Sequence, residues 1–260
     1  MELAPHPIGD GLVLLALGLS AFVPAARIAR RWLRPSSSPP AARWDLLEVG
    51  GIAAFALLVS GLAARKLAAA SFLEQLLANE LVFGATAALV LVLASRRPGG
   101  LEALGVSARP SRAAWAAGPL GYAPLFVVMA GVGVLWRELG RVRGWPAEQE
   151  VMRAMLELEG GALVVGALVA VVVGPLLEEL LFRGFLQSVL VRPLGSFGAV
   201  VVTALLFALL HGKSTFGPLF CLSLYLGWLR ARSGTLWISW AVHALHNGLG
   251  LALALSFASG

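Results

Sequence analysis

Long apolar runs, each close to the length of a membrane crossing, alternate with short polar stretches along the whole chain. A spanning helix needs about 20 mainly apolar residues. The pattern predicts spans over Gly11 to Ala26, Leu46 to Ala64, Leu76 to Ala94, Ala113 to Leu135, Ala162 to Phe182 or beyond, and Phe197 to Leu210. A shorter apolar segment, Phe216 to Leu229, and a last span, Leu236 to Phe257, complete the set. The predicted fold class is therefore all-α, a polytopic transmembrane helix bundle of about eight spans. Between the fourth and fifth spans, Glu148, Glu150, Arg153, Glu157 and Glu159 alternate with Val151, Met152, Met155, Leu156 and Leu158. This stretch, Trp136 to Gly160, predicts an amphipathic helix on the outer surface, entered at Pro146.

Composition supports the same class. Of 260 residues, 58% are hydrophobic and 13% charged, against about 45–50% and 25% in soluble domains. The formal net charge of +6 is not gathered into one patch, so it points to topology rather than to nucleic acid. With both termini outside, 12 of the 20 Lys and Arg fall in cytoplasmic loops and 7 outside, while Arg183 lies within the membrane. That bias follows the positive-inside rule. The first two cytoplasmic loops are a Pro/Ser-rich linker, Pro35 to Pro40 with Arg27, Arg30, Arg31, Arg34 and Arg43 around it, and Ser95 to Arg112. Cys221 is the single cysteine, which excludes an intrachain disulfide and a Cys-rich metal site. Met1 to Asp10 holds no Lys or Arg, so the first span reads as uncleaved.

The segment Pro175 to Gln187 departs from this pattern, because Glu178, Glu179 and Arg183 interrupt an apolar run at membrane depth. An ionised side chain near a bilayer centre costs roughly 3 kcal/mol or more and usually lines a cavity or a pathway. Glu179 and Arg183 are four residues apart and can pair on one helix face, while Glu178 points about 100° away. Phe207 with His211, and His243 with Asn247, repeat the same spacing on later helices. Gly174-Pro175 predicts a kink or break, which would put both glutamates near a fresh helix N-terminus.

A glutamate in a membrane cavity can act as general base on water, with a histidine sharing that water. A second histidine and an asparagine amide can donate to an oxyanion. Glu178, His211 and His243 are also a candidate set for a divalent metal such as zinc, although no H-E-x-x-H pair is present and the sequence does not require one. Glu179 with Arg183 reads equally as a structural ion pair between helices. His246 reads as structural, Asn79 and Glu80 as snorkelling at a span end, and Trp237 and Trp240 as interface anchors.

Glu-Glu-x-x-x-Arg (Glu178, Glu179, Arg183), Phe-x-x-x-His (Phe207, His211) and His-x-x-x-Asn (His243, Asn247), in this order on successive helices, resemble the CAAX protease and bacteriocin-processing (Abi, CPBP) family. The resemblance covers roughly Pro146 to Leu251. It implies two regions: N-terminal transmembrane helices and cytoplasmic linkers over 1–145, and a CPBP/Abi-like catalytic membrane core over 146–260. It also implies an intramembrane endopeptidase acting on a membrane-associated or CAAX-like protein or peptide substrate. In that reading the residues matching Glu178 and His211 activate water, those matching His243 and Asn247 form the oxyanion site, and Glu179, Arg183 and Phe207 support them. Some members are described as metalloproteases. The Ala/Arg/Gly-rich composition is bacterial in character, so the expected location is the inner (plasma) membrane, multi-pass, with the lipid bilayer as partner and no nucleic acid. A non-catalytic scaffold or bacteriocin-immunity-type binding protein is the alternative, and a proton-coupled transporter a third reading.

Overall fold

The computed structural model describes residues 7–33, 44, 46–145 and 150–258. The Pro35 to Pro40 linker with Arg34 and Arg43, the first six residues, and Pro146 with Glu148 at the predicted start of the amphipathic segment lie outside the described residues. Among the described residues every regular element is a helix: α1 (Pro7–Trp32), α2 (Leu46–Lys66), α3 (Phe72–Ser95), α4 (Gly100–Leu104), α5 (Arg112–Arg143) and α6 (Glu150–Leu156) come first. They are followed by α7 (Gly160–Leu168), α8 (Gly174–Glu179), α9 (Gln187–Leu210), α10 (Phe216–Ser233) and α11 (Trp237–Ala258). Two wider, π-helical segments, Val169–Val173 and Leu180–Leu186, join α7 to α8 and α8 to α9.

Among the described residues five helical stretches are long and apolar enough to cross a membrane, and Leu47–Ala63 of α2 is a shorter apolar one. The longest, Gly160–Leu210, is two crossings rather than one. Gly195 has φ +68° and ψ 171° inside it, a backbone state open to glycine and strained for other residues. The chain turns there and runs back, so that Phe207 meets Phe182 with ring centroids 5.2 Å apart. Helix α10 is not among these five, and it is largely interior. Leu222, Ser223, Tyr225, Leu226, Leu229 and Arg230 are all buried, and a helix surrounded by protein can carry polar groups that lipid would penalise.

Membrane helices gain little from the hydrophobic effect against one another, so small residues that admit close approach do the work. Helices α1 and α5 show this. A Cβ on Gly18 would sit 2.6 Å from the Val128 backbone nitrogen, and one on Gly131 would sit 2.7 Å from the Leu15 nitrogen. Tyr225 of α10 lies over α5 in the same way, its hydroxyl donating to the Gly118 carbonyl at 2.8 Å. Apolar side chains such as Leu12, Leu17, Leu57 and Leu58 remain exposed, as a lipid-facing surface requires.

The loop before α5 is more ordered than a linker. The Leu236 amide donates to Gly105 at 3.0 Å, the Thr235 hydroxyl to Ala108 at 2.8 Å and the Trp237 indole to Val106 at 3.0 Å. Arg230 donates to the Ala103 carbonyl at 2.6 Å. These bonds fasten the first turn of α11, which carries two of the predicted site residues. Trp237, half-buried, also ties the start of α11 to this loop. The predicted amphipathic helix is also shorter than expected, because α5 runs on to Arg143 before Gly144 (φ +66°) ends it.

Candidate active site

Pro175 does not break its helix. Proline cannot donate to the carbonyl four residues back and its ring crowds that carbonyl. The π-helical turn Val169–Val173 widens the helix just before it, and the backbone passes through Gly174 and Pro175 in helical conformation. The carbonyls loosened by the wider turn find partners on α11: Asn247 Nδ2 donates to Ala170 O at 2.9 Å and Trp240 Nε1 to Val172 O at 3.2 Å. Trp240, expected at the interface, is therefore inside the site's wall. The expected fresh N-terminus beneath the glutamates does not form, because the helix is continuous.

The structure brings six of the seven predicted residues into mutual contact from three stretches of chain, while Asn247, one turn beyond His243 on α11, is held on the Ala170 carbonyl. Glu179 is fully buried and its Oε1 lies 2.9 Å from Arg183 and 3.1 Å from His243 Nδ1. Arg183 also donates to Ser223 Oγ at 2.7 Å and lies 4.4 Å above the Phe207 ring. Phe207 is buried with three polar groups on it, His211 at 4.3 Å and His243 at 5.7 Å between centroids in addition to the guanidinium. This set forms a closed base: Glu179, Arg183 and His243 side chains are between 0% and 3% exposed.

Above it stands an accessible pair. Glu178 and His211 keep 21% and 34% of their side-chain surface, with His211 Nε2 3.9 Å from Glu178 Oε1. His243 Nε2 lies 3.7 Å from the other oxygen, Oε2. The second ring nitrogen of each histidine settles its proton. His211 Nδ1 is 2.7 Å from the Phe207 carbonyl, which can only accept, so Nδ1 carries hydrogen and Nε2 faces the carboxylate as an acceptor. Trp136 positions this turn from α5, its indole donating to Lys213 O at 2.7 Å.

The candidate metal set does not close into a cage. Two ligands about 2.1 Å from a tetrahedral zinc stand roughly 3.4 Å apart, whereas both histidine nitrogens are farther than that from Glu178 and address opposite oxygens. Among the described residues no group of His, Cys, Asp or Glu meets the spacing for a metal ion.

His246 is tied away from the site, its Nδ1 3.0 Å from the Tyr122 hydroxyl of α5. Glu80 was missed by the sequence reading. It turns inward: a Cβ on Gly174 would lie 3.3 Å from its Oε1, and its Oε2 is buried. A lone carboxylate near a span end carries no signal of that direction; only the packing of α3 on α8 supplies it.

Residues 160–249 match the family model described as Type II CAAX prenyl endopeptidase Rce1-like. The chain carries an Rce1-like domain. The match covers about a third of the chain, and all seven predicted site residues fall within it. No curated protein and no solved structure matches the chain.

Proposed function

We propose that the Rce1-like domain is an intramembrane endopeptidase in which Glu178 and His211 activate a water molecule for attack on a peptide carbonyl of a membrane-associated or CAAX-like substrate. One observation carries this reading: an accessible carboxylate, Glu178, is faced by two imidazole nitrogens from two other helical stretches, one on each of its oxygens. Glu178 and His211 Nε2 are both acceptors, and a water between them satisfies both with its two hydrogens. As its oxygen bonds to the carbonyl carbon, one proton passes to Glu178. The tetrahedral intermediate then expels the amine, which takes that proton as the C–N bond breaks.

The oxyanion needs donors. Asn247 spends one amide hydrogen on Ala170 O and keeps the second. His243 is held with Nδ1 on the Glu179 carboxylate and Nε2 facing the Glu178 side of the site, where an N–H at Nε2 would donate to the oxyanion. Glu179, Arg183 and Phe207 act by holding His243 and His211. No step is routed through a metal, since the donor set does not fit one. In this reading 146–260 carries the chemistry and 1–145 supplies the surrounding helices, in a bacterial inner membrane.

Terminal-peptide proteomics on membranes holding either the wild type or Glu178→Gln at matched abundance tests the proposal. New peptide termini made only by the wild type support it and name substrates. Identical termini from both proteins overturn it.

A further inference from the structure

Helix α3 presents Phe72, Leu76, Glu80 and Gly84 at four-residue spacing, on one face. The lower half of that face leads to the candidate site. Glu80 abuts Gly174, and a Cβ on Gly84 would lie 3.9 Å from Leu177 Cδ1. Gly174 and Leu177 stand four residues and one residue before Glu178. The upper half lines a cavity of about 630 Å³, with Phe72 and Leu76 on its wall. The cavity reaches along α3 as far as Asn79, the residue next to Glu80.

Its opposite wall is α6 and the turn after it. Met155 and Leu158 pin that segment to α7: a Cβ on Gly166 would meet the Met155 sulfur at 3.0 Å and Leu158 Cδ1 at 2.8 Å. Arg153 and Glu157 lie on the cavity side. Gln75 and Asn79 add two amides from α3, and Gln75 is held by its Nε2 bond to Ala70 O at 2.9 Å.

This lining selects among ligand classes. A fatty or isoprenoid chain gains nothing from two amides and two charged groups. A phosphate would be repelled by Glu157 as much as attracted by Arg153. An extended peptide backbone offers donors and acceptors in alternation, which amide side chains match, and charges of both signs suit its side chains. The volume is within the roughly 300–1,000 Å³ of ligand sites.

We infer that the cavity between α3 and α6 is a peptide-binding subsite, holding the substrate segment on one side of the bond presented to Glu178 and His211. The inference rests on the protease reading, yet the two fail separately. The test uses the full chain in nanodiscs with a short-peptide library bearing a benzophenone residue, and in a second arm a benzophenone-bearing phospholipid. Cross-links are mapped in the wild type, Glu178→Gln and Ala154→Trp, the last filling the cavity.

The expected result is peptide adducts on 72–79 and 153–157, kept in Glu178→Gln and reduced about fivefold or more in Ala154→Trp. Ala154→Leu, a smaller plug, is expected to give an intermediate loss should the tryptophan variant not fold. Peptide adducts placed elsewhere, adducts insensitive to both plugs, or labelling of the cavity by the phospholipid alone would overturn it. Cavity adducts with no Glu178-dependent cleavage would instead sink the protease reading and leave the subsite standing.

Discussion

His243 Nδ1 lies 3.1 Å from Glu179 Oε1, and the other nitrogen of the same ring lies 3.7 Å from Glu178 Oε2. Adjacent glutamates thus address opposite edges of one imidazole, the first from the accessible side and the second from the buried side. Two carboxylates next to each other in sequence meet different surroundings because the helix turns about 100° between them.

Replacing Glu179 by Gln removes the counter-ion of Arg183, which is wholly buried. Breaking a buried pair by removing one partner costs about 3–5 kcal/mol. Unfolding in detergent should show a loss of that order, together with loss of cleavage. Stability equal to the wild type would mean that Arg183 has another adequate partner.

Glu178→Gln and His211→Ala should separate activity from stability. Both side chains are accessible, so their replacement is expected to change stability by less than about 1 kcal/mol. Glu178-dependent termini should fall by about a hundredfold or more. Since the donors do not form a metal cage, a membrane-permeant chelator should leave cleavage by the wild type unchanged; chelator-sensitive cleavage restored by added zinc would contradict this.

Phe207→Ala should be among the most damaging substitutions outside the ionisable groups. The ring is fully buried and touches Phe182, His211, His243 and the Arg183 guanidinium. Removing a buried phenylalanine costs about 3–5 kcal/mol. Phe207→Leu should recover part of the stability but less of the activity, read by unfolding midpoint and yield of new termini.

Gly18→Val tests the α1–α5 seam. Its first added carbon would lie 2.6 Å from the Val128 nitrogen, so the helices must separate, at about 1–3 kcal/mol. Gly61 has nothing within 4 Å of its Cβ position, and Gly61→Val provides the control, with little change expected in the same unfolding measurement.

Trp240→Phe removes the donor to Val172 O while keeping an aromatic ring. The bond is partly buried, and leaving its acceptor without a partner should cost about 1 kcal/mol. The same substitution at Trp32, an exposed position, should cost much less; equal effects would show that the π-helical wall does not depend on α11.

The pattern of apolar and charged positions alone gives the all-α membrane class and the residues of the candidate site. Apolar runs of spanning length exclude a soluble fold, and charges within them stand out because hydrocarbon penalises them, so Glu178, Glu179, Arg183, His211, His243 and Asn247 were legible without coordinates. Tertiary structure decided how they are used. Periodicity places Glu178 and Glu179 on different faces but does not say which face meets α11, and that contact makes one accessible and the other a buried counter-ion. The path through Pro175 was decided in the same way. A proline predicts local disruption, but two side chains of α11 donate to the carbonyls freed beside it, and that compensation comes from residues more than sixty positions away. Glu80 and Trp240 were misread for one reason: an isolated polar or aromatic residue near a span end has the same sequence context whether it faces lipid headgroups or protein, and only the packing of α3 and α11 against the Glu178 helix turns both inward.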